Sequence, residues 1–142
     1  MQKDYLVEAE KQISKAELYF DANQYKRAGK LFNSAGDLFF KENKNKAAND
    51  CYINAATSFI SEKKYEPALE ALKNAGDCSI LINEYSNAGM HYKKVLKYLP
   101  TIKKIGERDH LYLLFLTFPP YNYKKRFLKS LVMVWSQDLF QN

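Results

Sequence analysis

The sequence predicts an all-α fold, a right-handed array of antiparallel helical hairpins with about twenty residues in each helix–turn unit. Two observations predict it. Between Tyr25 and Leu99 the residue types recur every twenty positions, and within each unit the apolar residues fall at helical spacing. Tyr25, Asn45, Tyr65 and Tyr85 form one column, and Ala28, Ala48, Ala68 and Ala88 the next. Phe32, Tyr52, Leu72 and Tyr92 follow, then Ala35, Ala55, Ala75 and Val95, then Gly36, Ala56, Gly76 and Leu96. A last column holds Phe39, Phe59, Ser79 and Leu99. Measured from the alanine column the offsets are 0, 4, 7, 8 and 11, one face of a 3.6-residue helix and not the alternation of a strand.

The elements follow in order. Met1 to Phe20 reads as a first helix with Tyr5, Ala9, Ile13, Ala16 and Phe20 on one side, matching the columns only loosely, as a terminal cap would. The second helix begins after the break at Asp21 to Gln24. The third runs from Asn45 to near Ile60, with Asn45 expected as its N-cap. The fourth begins near Tyr65, with Pro67 confined to a first turn where its missing N–H costs nothing. The fifth runs from about Glu84 to Leu99, where Pro100 ends it. Links of about four residues force neighbouring helices antiparallel. Alanine and glycine let backbones approach, and the aromatic a turn away fills the space beside the contact. A compact bundle could use the same stripe, but a small column repeated in every unit favours stacking.

After Pro100 the pattern stops, which divides the chain into a repeat domain, residues 1–99, and an atypical tail, residues 100–142, of one or two helices. Leu111 to Phe118 is almost wholly apolar, but as a helix it spans roughly 12 Å against a hydrocarbon core of about 30 Å, and cannot cross a bilayer. Tyr123 to Phe140 reads as one more helix, and Lys124-Lys125-Arg126 with Phe127 and Trp135 suits a membrane surface.

The net charge is +6, unevenly spread. Up to Pro100 there are 15 basic and 13 acidic residues, a net of +2; beyond it 7 face 3, a net of +4. The repeats thus lack the concentrated basic stripe of a nucleic-acid-binding domain. Cys51 and Cys78 fall within helices and read as packed, reduced thiols of a cytosolic chain. No apolar core follows a basic lead at the N-terminus, so no signal peptide is expected.

No catalytic constellation emerges. His91 and His110 lie nineteen apart with no acid or thiol at metal-ligand spacing, and no glycine-rich phosphate loop is present. The expectation is no enzyme, no metal, no cofactor and no small-molecule substrate. Charge does cluster at Lys26, Arg27 and Lys30 in the second helix and at Lys93, Lys94 and Lys97 in the fifth. The first set marks an edge for an anionic partner or a solvated face. The second equally suits the negative end of a helix dipole.

The run Ala28-Gly29-Lys30-Leu31-Phe32-Asn33-Ser34-Ala35-Gly36-Asp37-Leu38-Phe39, then Ala47-Ala48-Asn49-Asp50-Cys51-Tyr52-Ile53-Asn54-Ala55-Ala56, resembles the soluble NSF attachment protein (SNAP) family. So does Glu8-Ala9-Glu10-Lys11. The resemblance covers residues 1–99. It implies a tetratricopeptide-like array and a non-enzymatic adaptor, cytoplasmic and peripherally associated with membranes. Such an adaptor lies along the SNARE four-helix bundle and recruits the NSF ATPase, which pulls the bundle apart in vesicle fusion and intracellular transport. By likeness of position, Lys26, Arg27, Lys30, Lys93 and Lys94 would meet acidic SNARE residues. The membrane-attaching loop of some members would correspond to Leu18-Tyr19-Phe20, a trio that also reads as the end of the first helix's packed face. Members end in an acidic stretch and a leucine that engage the ATPase; the last residues here are Leu139-Phe140-Gln141-Asn142, with Asp138 the acid nearby. Two other functions fit the pattern: a generic tetratricopeptide-like module gripping a peptide, and a membrane-surface protein acting through its tail.

Overall fold

The structure, a computed structural model, describes residues 2–98. Five helices follow one another: α1 Gln2–Asp21, α2 Tyr25–Lys41, α3 Asn45–Ser61, α4 Tyr65–Leu81 and α5 Tyr85–Tyr98. Among the described residues there is no strand. Each helix packs chiefly against its neighbours in sequence, which is the zigzag of a hairpin array. The expected boundary at residues 99–100, the apolar run Leu111 to Phe118 and the tail helix with Lys124-Lys125-Arg126 lie outside the described residues.

The twenty-residue ruler is set by the turns. Asn23, Asn43, Lys63 and Asn83 have φ of 63°, 58°, 58° and 63°. In the first turn the Asn23 N–H donates to the Phe20 carbonyl at 3.0 Å and the Gln24 N–H to the Tyr19 carbonyl at 2.8 Å. This is a Schellman closure, which satisfies the orphan carbonyls of α1. The Gln24 carbonyl then accepts from the Ala28 N–H at 3.1 Å, so one residue ends α1 and opens α2. Lys44, Lys64 and Glu84 repeat both bonds.

That economy overturns one expectation. The residue before α3 is Lys44, whose carbonyl accepts from the Ala48 N–H at 2.9 Å; Asn45 is already helical and no side chain caps the helix. The left-handed residue at 43 delivers the chain straight into the helix, leaving no extended position for an asparagine cap.

The small columns are interior: Ala28, Ala48, Ala68 and Ala88 are fully buried. The glycine positions show that the structural repeat is the hairpin of forty residues. A methyl group on Gly36 would stand 2.8 Å from the Tyr52 ring, and one on Gly76 would stand 2.5 Å from the Tyr92 ring. Each tyrosine then donates from its hydroxyl to the aspartate after its glycine: Tyr52 to Asp37 at 2.5 Å, Tyr92 to Asp77 at 2.8 Å. Thus α2 and α4 present Gly-Asp, and α3 and α5 present the tyrosine. Asp77 also pairs with Lys73 at 2.8 Å, and both are largely buried. Burial nonetheless raises the Asp77 carboxyl above its ordinary value, outweighing Lys73 and the Tyr92 hydrogen bond.

One polar pair crosses the core. Ser79 Oγ donates to Asn49 Oδ1 at 3.0 Å, with both residues buried. Ser79 stands where its column otherwise holds phenylalanine or leucine, so its hydroxyl needs this partner.

The zigzag places α1, α3 and α5 in one layer and α2 and α4 in the other. It also defines two ends. The turns before α3 and α5 share one end, where Lys46 Nζ lies 3.6 Å from Glu84 Oε1. The turns before α2 and α4 and the last turn of α5 share the other, where the rings of Tyr65 and Tyr98 stack with centroids 5.5 Å apart.

Candidate functional site

Lys26, Arg27 and Lys30 are exposed on the opening turns of α2. Arg27 donates to Gln24 Oε1 at 3.1 Å and lies over the Tyr19 ring, 5.7 Å from its centroid. No acidic residue occupies the first turn of α2. Cations at a helix N-terminus oppose the macrodipole, each at a cost of roughly 0.3–1 kcal/mol when exposed. Helix stability therefore does not account for Lys26, whereas Arg27 is held by Gln24 and the Tyr19 ring and Lys30 lies one turn further in.

The second cluster differs. Lys94 is exposed, Lys93 is half-buried with interactions of its own, and Lys97 lies in the last turn of α5, where a cation suits the dipole. These lysines belong to the layer of α1, α3 and α5, and the α2 cations to the other layer. Both clusters nevertheless lie toward the same end. Between them, at the turn before α4, stand the exposed Lys63 and Lys64. Sequence reasoning passed over these two as turn residues. The signal was Lys63 in a column otherwise occupied by asparagine in the positive-φ position. Asparagine enters the left-handed region readily, whereas a lysine there is held against a strain of roughly 1–2 kcal/mol.

The trio Leu18-Tyr19-Phe20 does not form one patch. Tyr19 and Phe20 pack on the core cluster, and the Phe20 ring meets Tyr25 edge-on with centroids 5.1 Å apart. Leu18 alone faces outward, 70% exposed.

A cleft opens between α1, α2 and α3, with a volume of about 210 Å³. Phe20 and Phe32 supply its apolar lining, Glu17 and Asp21 its carboxylates, and Asn54 and Thr57 its far side. It needs three helices to exist and has no sequence signature.

The remaining reactive side chains are sequestered. Burial pushes the Cys51 thiol up to about 11 and the Cys78 thiol up to about 12, with Asp50 and Asp77 adding to the respective effects. Buried thiols with so little thiolate are poor nucleophiles. His91 is buried, neither ring nitrogen has a hydrogen-bond partner among the described residues, and burial, reinforced by Lys94, holds its pKa below the ordinary value despite Glu84. Among the described residues no three metal-ligating side chains converge, and no helix is long and apolar enough to cross a membrane.

Stacked hairpins with buried small columns, inert thiols and a cationic end define the class, a helical-repeat protein of the tetratricopeptide-like kind. A model of the soluble NSF attachment protein (SNAP) family matches residues 3–114, and the chain belongs to that family. The match runs beyond residue 99, where the alanine columns stop, and takes in the first part of what the columns set apart as a tail. No curated protein and no solved structure matches the chain.

Proposed function

We propose that this chain is a SNAP-like, non-enzymatic adaptor that binds the SNARE four-helix bundle and recruits an NSF-type ATPase for its disassembly in vesicle fusion and intracellular transport. It acts in the cytoplasm at membrane surfaces. The observation that carries this reading is the cationic end: Lys26 and Arg27 stand in the first turn of α2 against its dipole, with Lys30 one turn on, and Lys63 is kept in a strained turn. Charge retained at Lys26 and Lys63 against the preference of the fold is charge kept for a partner, and acidic SNARE surfaces are its complement. Lys93 and Lys94 extend the contact from α5, and Lys63 and Lys64 fill the space between the two clusters. Peripheral membrane contact at this end runs through the exposed Leu18, since Tyr19 and Phe20 serve the core.

The test is co-sedimentation of the full chain with assembled SNARE bundles, with and without an NSF-type ATPase, over a range of salt. Exposed charge pairs are screened once ions shorten the Debye length from about 30 Å to about 8 Å. Binding that falls steeply over that range and brings the ATPase into the pellet is the expected result. Absent or salt-indifferent binding contradicts it.

A further inference from the structure

We propose that the cleft between α1, α2 and α3 is a second docking site, opposite in sign to the cationic end, that takes an arginine or lysine side chain from a helix of a partner protein. The cleft has the two parts such a side chain requires. Phe20 and Phe32 line it with aromatic surface, against which an aliphatic stem or a guanidinium plane packs. Glu17 and Asp21, one helical turn apart, supply carboxylates for the cationic head, and Asn54 adds an amide across the gap.

The placement of those carboxylates is the second observation. Glu17 lies one turn before Asp21, the final residue of α1, which carries no basic residue in its last turn. An anion there faces the negative end of the dipole and weakens the helix. Among the described residues neither carboxylate has an ion-pair or hydrogen-bond partner, although Lys26 and Arg27 lie just beyond the turn. Two acids unpaired among the described residues, one of them set against its own helix dipole, over an aromatic-lined cleft, are complementary to a cation from outside the chain. Thr57 donates its hydroxyl proton to the Ile53 carbonyl at 3.0 Å, which leaves its oxygen as an acceptor alone, and selectivity for charge rests with the carboxylates.

The experiment is an amide-resonance titration of the full ¹⁵N-labelled chain with two synthetic helical peptides of one alanine-glutamine frame, one bearing arginines on a single face and the other glutamates at those positions. The arginine peptide should shift the amides of residues 17, 20, 21, 54 and 57, and the glutamate peptide should not. Glu17→Gln/Asp21→Asn should weaken the arginine peptide by about five- to tenfold, the scale of partly exposed charge pairs. Thr57→Arg, which puts a cation of the chain's own into the cleft, should abolish the shifts. Each variant changes exposed or rim residues, and its melting curve verifies folding. Shifts confined to α2 or α5, equal response to both peptides, unchanged affinity in the double variant, or no shift at about millimolar peptide overturns the proposal.

Discussion

The Tyr92 ring of α5 lies on Gly76 of α4 so closely that a methyl group at Gly76 would stand 2.5 Å from Tyr92 Cε1. That contact, repeated forty residues earlier between Tyr52 and Gly36, joins consecutive helices and aims each hydroxyl at an aspartate. Gly76→Ala therefore sets two effects against each other. Helix propensity favours alanine by about 1 kcal/mol, while overpacking against a buried ring costs roughly 1–3 kcal/mol and disturbs the Tyr92–Asp77 bond. Packing should win, with a net loss of about 1 kcal/mol in urea unfolding; a stabilised variant would mean that the ring moves aside freely.

Lys63 is the one described turn residue with positive φ that is not asparagine. Lys63→Asn should raise stability by about 1 kcal/mol by relieving left-handed strain. Asn43→Lys, the reverse change in a sister turn, should lower it by a similar amount. Paired thermal melts measure both, and a Lys63→Asn variant no more stable than the parent contradicts the assignment of strain.

Ser79→Ala leaves Asn49 Oδ1 buried without its donor, at a cost of about 1–3 kcal/mol. Adding Asn49→Leu should recover part of that loss, because both ends of the hydrogen bond are then gone. A double-mutant cycle reads the coupling, and additive losses would show that the two side chains act independently.

His91 gives stability a pH dependence. Its folded pKa lies below the unfolded value of about 6.5, so the unfolded chain takes up a proton first as pH falls. Stability contributed by the neutral imidazole is therefore complete above that value, and is lost as pH drops through it toward the folded pKa. Urea midpoints of the parent should decline on acidification from neutral pH, and His91→Phe should flatten the decline. An equal decline in the variant would assign it to the carboxylates.

How much of this was legible depended on whether a signal lay within one helix. The alanine column and turn spacing were, because each unit repeats them in sequence. The tyrosine–glycine–aspartate lock was present in the columns as an alternation, Gly36, Ala56, Gly76, but its forty-residue period needs two helices to be understood. Asn49 and Ser79 sit thirty residues apart on different helices, and nothing local pairs them. Asn45 misled as a cap because the preceding turn already supplies the helix entry from Lys44. The α2 cations and the helix start after Gln24 were both legible in the sequence, but the contacts that hold Arg27 over Tyr19 and leave Lys26 without one among the described residues were not, because they need the turn's geometry.

The central claim is that the cationic end serves a partner at the expense of the fold, and Lys26→Glu tests it most directly. Glutamate at this position suits the dipole of α2 and stands four residues before Lys30, so the variant should be more stable than the parent by about 0.5–1 kcal/mol. Its binding to the assembled SNARE bundle should fall at low salt. A variant that is both more stable and equally well bound would show that Lys26 is only a solvated charge, and the account would lose its main support.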